Sequence, residues 1–137
     1  MQLHCTIVAL ATTLVANPKE INMSKIVTRN ELQVRLQANP GLVLLEALPE
    51  KYFNDWHIPG ARHFPHDEAR VLAPRVVPDR LTEIVVYCAS STCQNSHIAA
   101  NVLQQIGYTE VSVYAGGKQD WSEAGLPVEK SEARVAA

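Results

Sequence analysis

One stretch of this chain limits its fold more than any other. The apolar run Ile84-Val85-Val86-Tyr87 ends in Cys88, a small polar loop follows, and a helix-like segment begins near Ser96. An unbroken apolar run bounded by polar residues fits a strand buried on both faces of a parallel sheet. The order strand, loop, helix then places a thiol at the carboxyl end of a strand, facing the amino end of a helix. Open α/β sheets bind their ligands at that edge. Free amide N–H groups and the positive end of the helix dipole favour an anion there. A thiolate is such an anion, so the arrangement predicts a lowered pKa and a nucleophilic sulfur at Cys88.

The rest of the chain repeats the alternation. Ile26-Val27 is a short extended piece, and Thr28 with Glu31 forms a capping box that favours a helix over about 29–37. Asn39-Pro40-Gly41 ends it, and Leu42 to Leu45 is a second buried strand with Glu46 at its carboxyl end. Pro49 to Trp56 reads as a helix, and His57-Ile58-Pro59-Gly60-Ala61 as a tight turn into an extended piece at 62–64. A short helix is expected near 67–72, then loop. Beyond the Cys88 loop, Ile98, Ala99, Val102, Leu103 and Ile106 form one apolar helical stripe, and Gly107 suits the position just past its end. Val111 to Tyr114 is a further strand, and Gly116-Gly117 turns the chain into a helix with Trp121 in the core. The tail from Glu129 onward reads as loosely held. Strands alternating with helices predict an α/β fold, a central and mostly parallel sheet with helices on both faces.

Composition narrows the function classes. A chain of 137 residues supports a single domain with a real core. A net charge of −2 gives no reason to expect a nucleic-acid or membrane-surface partner. The five histidines and three cysteines make no zinc pattern, and the odd cysteine count argues against a disulfide scaffold, so no metal or organic cofactor is expected. The two cysteines of the loop read as chemistry in a reducing, cytoplasmic setting. Residues 1–22 read as an N-terminal extension, either a weak signal peptide or a stretch upstream of a start at Met23, and 23–137 as the domain. Leu3 to Ala16 is too short and too polar to span a bilayer. Were it a signal peptide the location would be periplasmic, but no Lys or Arg precedes the apolar run.

The motifs, in this order, resemble the single-domain rhodanese family. They are Leu44-Leu45-Glu46 before a helix, His57-Ile58-Pro59-Gly60-Ala61, Val85-Val86-Tyr87-Cys88, Ser96 leading Ala99-Ala100, and Gly116-Gly117-Lys118-Gln119-Asp120-Trp121. The resemblance covers about residues 24–128. It implies a rhodanese-like fold and a sulfurtransferase that carries a persulfide on Cys88, cradled by loop amides. A small sulfur-containing donor would load it, and a thiol, cyanide or a protein thiol would unload it. The chain departs from the family pattern where an arginine usually precedes the serine that opens the helix, because Asn95 stands there. The loop is two residues longer than the commonest form and holds no Gly, and no Lys or Arg lies from Cys88 to Ile106. Losing one charge-assisted hydrogen bond costs roughly 1.5–3 kcal/mol, or about one to two powers of ten, which predicts thiosulfate to be a poor donor. The usual Asp-Val-Arg after the first long strand is Glu46-Ala47-Leu48, and Trp56 replaces a small Gly before the His57 turn. Phosphatase and arsenate-reductase activities on this fold need a loop arginine and are not expected.

Cys88 is thus the candidate nucleophile. Cys93, in the same loop, either resolves a Cys88 persulfide or sulfenic acid into a disulfide, passes sulfur to an acceptor, or merely shapes the loop. Ala89, Ser90, Ser91, Thr92, Gln94, Asn95 and Ser96 complete the loop. Its amides are the expected donors and its hydroxyls assist, with Ser96 a helix-start residue. Glu46 is a weak pocket candidate, since a nearby carboxylate would raise the Cys88 pKa. His57 reads as scaffold. Two rival functions stand beside the transferase: a thiol–disulfide sensor using Cys88 and Cys93, and a non-catalytic rhodanese-like module that binds a protein.

Overall fold

A computed structural model describes residues 25–130. The expected N-terminal extension, with the signal-peptide reading of its apolar run, lies outside the described residues.

The elements run β1 (Lys25–Val27), α1 (Arg29–Ala38), β2 (Val43–Glu46), α2 (Glu50–Asp55), β3 (Arg62–His63), a 3-10 turn (His66–Glu68), α3 (Ala69–Val76), β4 (Ile84–Tyr87), α4 (Asn95–Gln105), β5 (Val111–Tyr114) and α5 (Gly117–Glu123). The five strands form one sheet in the order β1-β5-β4-β2-β3, and every adjacent pair is parallel. Parallel neighbours need crossover helices, and these cover both faces. Alternation along β4 divides the core. Ile84 and Val86 join Leu45, Val113, Ala99, Ala100, Leu103, Ala69 and Ala73 on one face. Val85 and Tyr87 join Leu32, Leu44, Phe53, Ile58, Tyr114 and Trp121 on the other. All four β4 side chains are buried, as the unbroken apolar run predicts.

Local signals account for most boundaries. The Thr28 side chain accepts from the Glu31 amide and the Glu31 carboxylate accepts from the Thr28 amide, a complete capping box. Gly107 follows α4 with φ +106°, a left-handed conformation that ends a helix at little cost for glycine.

Three expectations need correction. The short helix expected near 67–72 is a 3-10 turn leading into a helix that continues through Pro74 to Val76. Burial of Ala69, Ala73 and Val77 against the sheet outweighs the amide that Pro74 lacks. Ile98 does not belong to the buried stripe and is exposed; α4 buries Ser96, Ala99, Ala100 and Leu103 instead, a face of small residues that sits close to the sheet. Glu129 is anchored: its backbone exchanges two hydrogen bonds of 2.8 Å with His57 in an antiparallel bridge.

Candidate active site

The site forms where β4 gives way to α4. Cys88 follows the last residue of β4, the central strand, and is buried. Its carbonyl accepts from the Lys118 amide at 2.9 Å, and the Ala89 carbonyl accepts from the Gln119 amide at 2.8 Å. The first turn of α5 thus fixes the root of the loop from below. Such close approach requires glycine. Gly117 has φ +63°, and a Cβ there would lie 2.3 Å from the Cys88 carbonyl oxygen.

The loop then turns back on itself. The Cys93 amide donates to the Ser90 carbonyl at 3.1 Å, and the Ser90 and Thr92 hydroxyls lie 3.1 Å apart. Ala89, Ser91, Thr92 and Gln94 are exposed, whereas Ser90, Cys93 and Asn95 are half-buried. Gln94 caps α4 through its backbone, its carbonyl accepting from the Ile98 amide at 3.0 Å. This turn brings Cys93 back over Cys88. The Cys88 Sγ lies 3.4 Å from the Cys93 carbonyl oxygen and 3.3 Å from Ser96 Oγ.

Ser96 is more than a helix-start residue. It is buried, and both its hydroxyl and its backbone N–H engage the Cys88 sulfur. The Cys93 sulfur lies against the Cys88 side chain and the Ala89 and Asn95 amides. The two sulfurs therefore share one amide-lined cup.

This sharing reverses one expectation. Burial, and then the hydrogen bond to the Cys93 side chain, push the Cys88 thiol up, while the Ser96 contacts oppose them. Burial also pushes the Cys93 thiol up, but the Cys88 thiol and the two amides outweigh it and leave Cys93 below the usual thiol range. The predicted electrostatic pull on a thiolate is present at this helix start. It falls mainly on Cys93, because the longer loop folds that sulfur into the amides.

Glu46 has no exposed surface. Its Oε1 accepts from Tyr87 Oη at 2.7 Å, and its Oε2 faces Lys118 Nζ at 3.2 Å. Burial raises its pKa above the ordinary carboxylate value, against the opposing Tyr87 and Lys118. Lys118 also donates to the Tyr52 carbonyl at 2.8 Å and lies 4.6 Å from the centre of the Trp56 ring. No Lys or Arg stands near Cys88 in the sequence, yet the Lys118 backbone holds the Cys88 carbonyl while its side chain turns to Glu46. The Gly116-Gly117 pair was the available signal. His57 is scaffold: Nδ1 donates to the Phe53 carbonyl at 2.9 Å, its ring stacks on Phe53 at 3.9 Å, and Nε2 faces the Glu129 carboxylate at 3.4 Å.

Among the described residues, no group of three or more His, Cys, Asp or Glu is placed to hold a metal ion, and no helix is long and apolar enough to cross a membrane. A cavity of about 590 Å³ opens at the opposite edge of the sheet, lined by Arg35, Glu83, Tyr108 and Ser112 among others. Arg35 is engaged there by Glu83 and Ser112, and neither thiol lines it.

A parallel α/β sheet with a cysteine at the carboxyl end of its central strand, cradled by the following helix start, defines a thiol-bearing loop domain. The model of the rhodanese-like domain matches residues 28–124, and the chain belongs to that family. It is 32% identical over 104 residues to the HTH-type transcriptional regulator Rv0324 of Mycobacterium tuberculosis, covering 76% of this chain and 44% of that protein. The solution structure of the rhodanese-like domain of the Alr3790 protein from Anabaena superposes with a TM-score of 0.70 at 28% identity, covering 84% of this chain and 86% of that one. A rhodanese from E. coli solved with anions matches with a TM-score of 0.56 at 27% identity, covering 65% of this chain and 98% of that one.

Proposed function

We propose that this domain is a sulfurtransferase that moves a sulfane sulfur from a small donor to a thiophilic acceptor through a persulfide on Cys88. One observation carries the reading: the Cys88 sulfur sits at the end of the central strand, beside the Ser96 amide, its thiol donating to Ser96 Oγ at 3.3 Å at the start of α4. Cys88 loses its proton to a solvent base and attacks the outer sulfur of the donor. The donor's remaining thiolate leaves, and Cys88 holds the transferred sulfur as a persulfide anion. Loop amides stabilise that charge, as backbone donors do wherever an anion develops in a preorganised loop. An acceptor, cyanide or a thiolate, then attacks the outer sulfur, and Cys88 departs as a thiolate.

The loop's donors are amides and hydroxyls, with Asn95 where the family commonly has an arginine. That suits a persulfide of a small thiol better than a sulfonate such as thiosulfate. Two free thiols in one loop favour a reducing compartment, consistent with a cytoplasmic setting. The contact between the two cysteine side chains favours a second reading, a thiol–disulfide sensor. The likeness to part of a transcriptional regulator fits that reading as well.

The test is incubation with glutathione persulfide or thiosulfate, rapid alkylation, and mass analysis of intact chain and peptides. One added sulfur on the Cys88 peptide is expected, faster from glutathione persulfide, and absent in Cys88→Ser. Loss of two hydrogens under mild oxidant, with no sulfur gained from either donor by the parent chain or by Cys93→Ser, would overturn the transferase in favour of the sensor.

A further inference from the structure

The turn from Ser90 to Cys93 places a second thiol in the cup that is to receive the transferred sulfur. The Cys93 amide is tied to the Ser90 carbonyl at 3.1 Å, its carbonyl oxygen lies 3.4 Å from Cys88 Sγ, and its side chain hydrogen-bonds the Cys88 thiol. Its sulfur takes the Ala89 and Asn95 amides. A persulfide on Cys88 must lodge its outer sulfur in that same cup. The Cys93 side chain then lies beside the new S–S bond. Half-burial of Cys93 also sets it closer to solvent than Cys88.

We infer that Cys93 is the internal acceptor of the persulfide: it attacks the inner sulfur of Cys88, forms a Cys88–Cys93 disulfide and releases the transferred sulfur as hydrosulfide. This step rests on the persulfide proposed above. It balances without an outside oxidant. The Cys93 thiolate supplies the electron pair for the new bond, and the S–S bond of the persulfide breaks. The sulfane sulfur leaves carrying that bond's electrons and is thereby reduced to sulfide, while the two cysteines are oxidised. The persulfide anion takes up one proton from solvent as its S–S bond breaks, so the sulfur departs as HS⁻. A small-molecule thiol then resets the loop in two exchanges and is itself oxidised to its disulfide. Sulfur donors of the persulfide class would be converted to hydrosulfide, and the loop disulfide would record each event until a thiol clears it. Attack at the inner sulfur is set by position. The Cys93 carbonyl lies 3.4 Å from Cys88 Sγ, and the Cys93 side chain lies against that inner sulfur.

The experiment uses the full chain with Cys5→Ser throughout, so that only the two loop thiols report. The protein is loaded with glutathione persulfide, desalted, and held in thiol-free buffer. Intact mass and free sulfide are followed with time. In the chain with both loop cysteines the added sulfur should disappear, the mass should fall to two hydrogens below the reduced chain, and one sulfide should appear per disulfide. With Cys93→Ser, and independently Cys93→Ala, the added sulfur should persist, its loss slowed by about tenfold or more because the intramolecular thiol is gone. Circular dichroism of both variants checks that the fold is kept. If the added sulfur persists equally with and without Cys93, the internal acceptor is wrong and the transferase stands. If no variant gains sulfur and no disulfide forms, the persulfide itself is wrong and this step falls with it.

Discussion

Two sulfurs five residues apart sit in one loop in different surroundings. Cys88 has the position and Cys93 has the amides. A thiol is nucleophilic only as thiolate, so the division shows in the pH dependence of alkylation. Because the Cys93 pKa is lowered, its iodoacetamide profile should have a midpoint below the ordinary thiol value. Because the Cys88 pKa is raised, its midpoint should lie above that value. Near neutral pH Cys93 therefore reacts first, and the gap closes as the solution becomes alkaline. Peptide mapping across a pH series measures both curves, and coincident midpoints would contradict the shared cup. The sequence made both thiols visible, along with the helix start that faces them. It did not show which sulfur the amides would meet, because that depends on how a loop without glycine or proline closes. Ser96 escaped notice as a sulfur ligand for the same reason: a serine before a helix has an ordinary capping explanation.

Elements position the loop through backbone contacts. The α5 amides of Lys118 and Gln119 bond the carbonyls of Cys88 and Ala89, and Gly117 makes the approach feasible. Gly117→Ala puts a methyl 2.3 Å from the Cys88 carbonyl oxygen on a residue of positive φ. Left-handed strain alone costs about 1–3 kcal/mol, and displacing the carbonyl adds to it. A lowered urea midpoint is expected, together with slower sulfur transfer even where the chain is fully folded. An unchanged midpoint and rate would show that α5 does not support the loop. Elements were largely readable in advance where the signals are local. The capping box at Thr28 and Glu31, Gly107 after α4, and the buried runs of β2 and β4 all depend on neighbours in sequence. Errors arose where tertiary packing decided. Pro74 lies within a helix because Ala73 and Val77 seat it on the sheet, and Ile98 faces outward because Ala99, Ala100 and Leu103 take the contact.

At the scale of the molecule, one buried ion pair joins parts of the chain that no local pattern relates. Lys118 and Glu46 are 72 positions apart, and the ammonium also holds the Tyr52 carbonyl, so β2, α2 and α5 meet on one charge. Removing one partner of a buried pair leaves the other uncompensated, typically at a cost of about 3–5 kcal/mol. Lys118→Met should be destabilising by that order near neutral pH, and less so in acid. The sign follows from Glu46, whose pKa in the fold is already raised by burial and rises further without the cation. A carboxyl held above its unfolded value lends stability that is complete below the unfolded pKa and is lost as pH climbs through the folded one. The gap between variant and parent should therefore widen from acid toward neutral pH in urea titrations, and a gap independent of pH would refute it. The strand order has its own consequence. β4, which ends next to the Cys88 sulfur, is hydrogen-bonded on both sides, while β1 and β3 are the sheet's borders. Thermal fraying starts from those borders, so the platform beneath the sulfur is among the last parts of the domain to come apart.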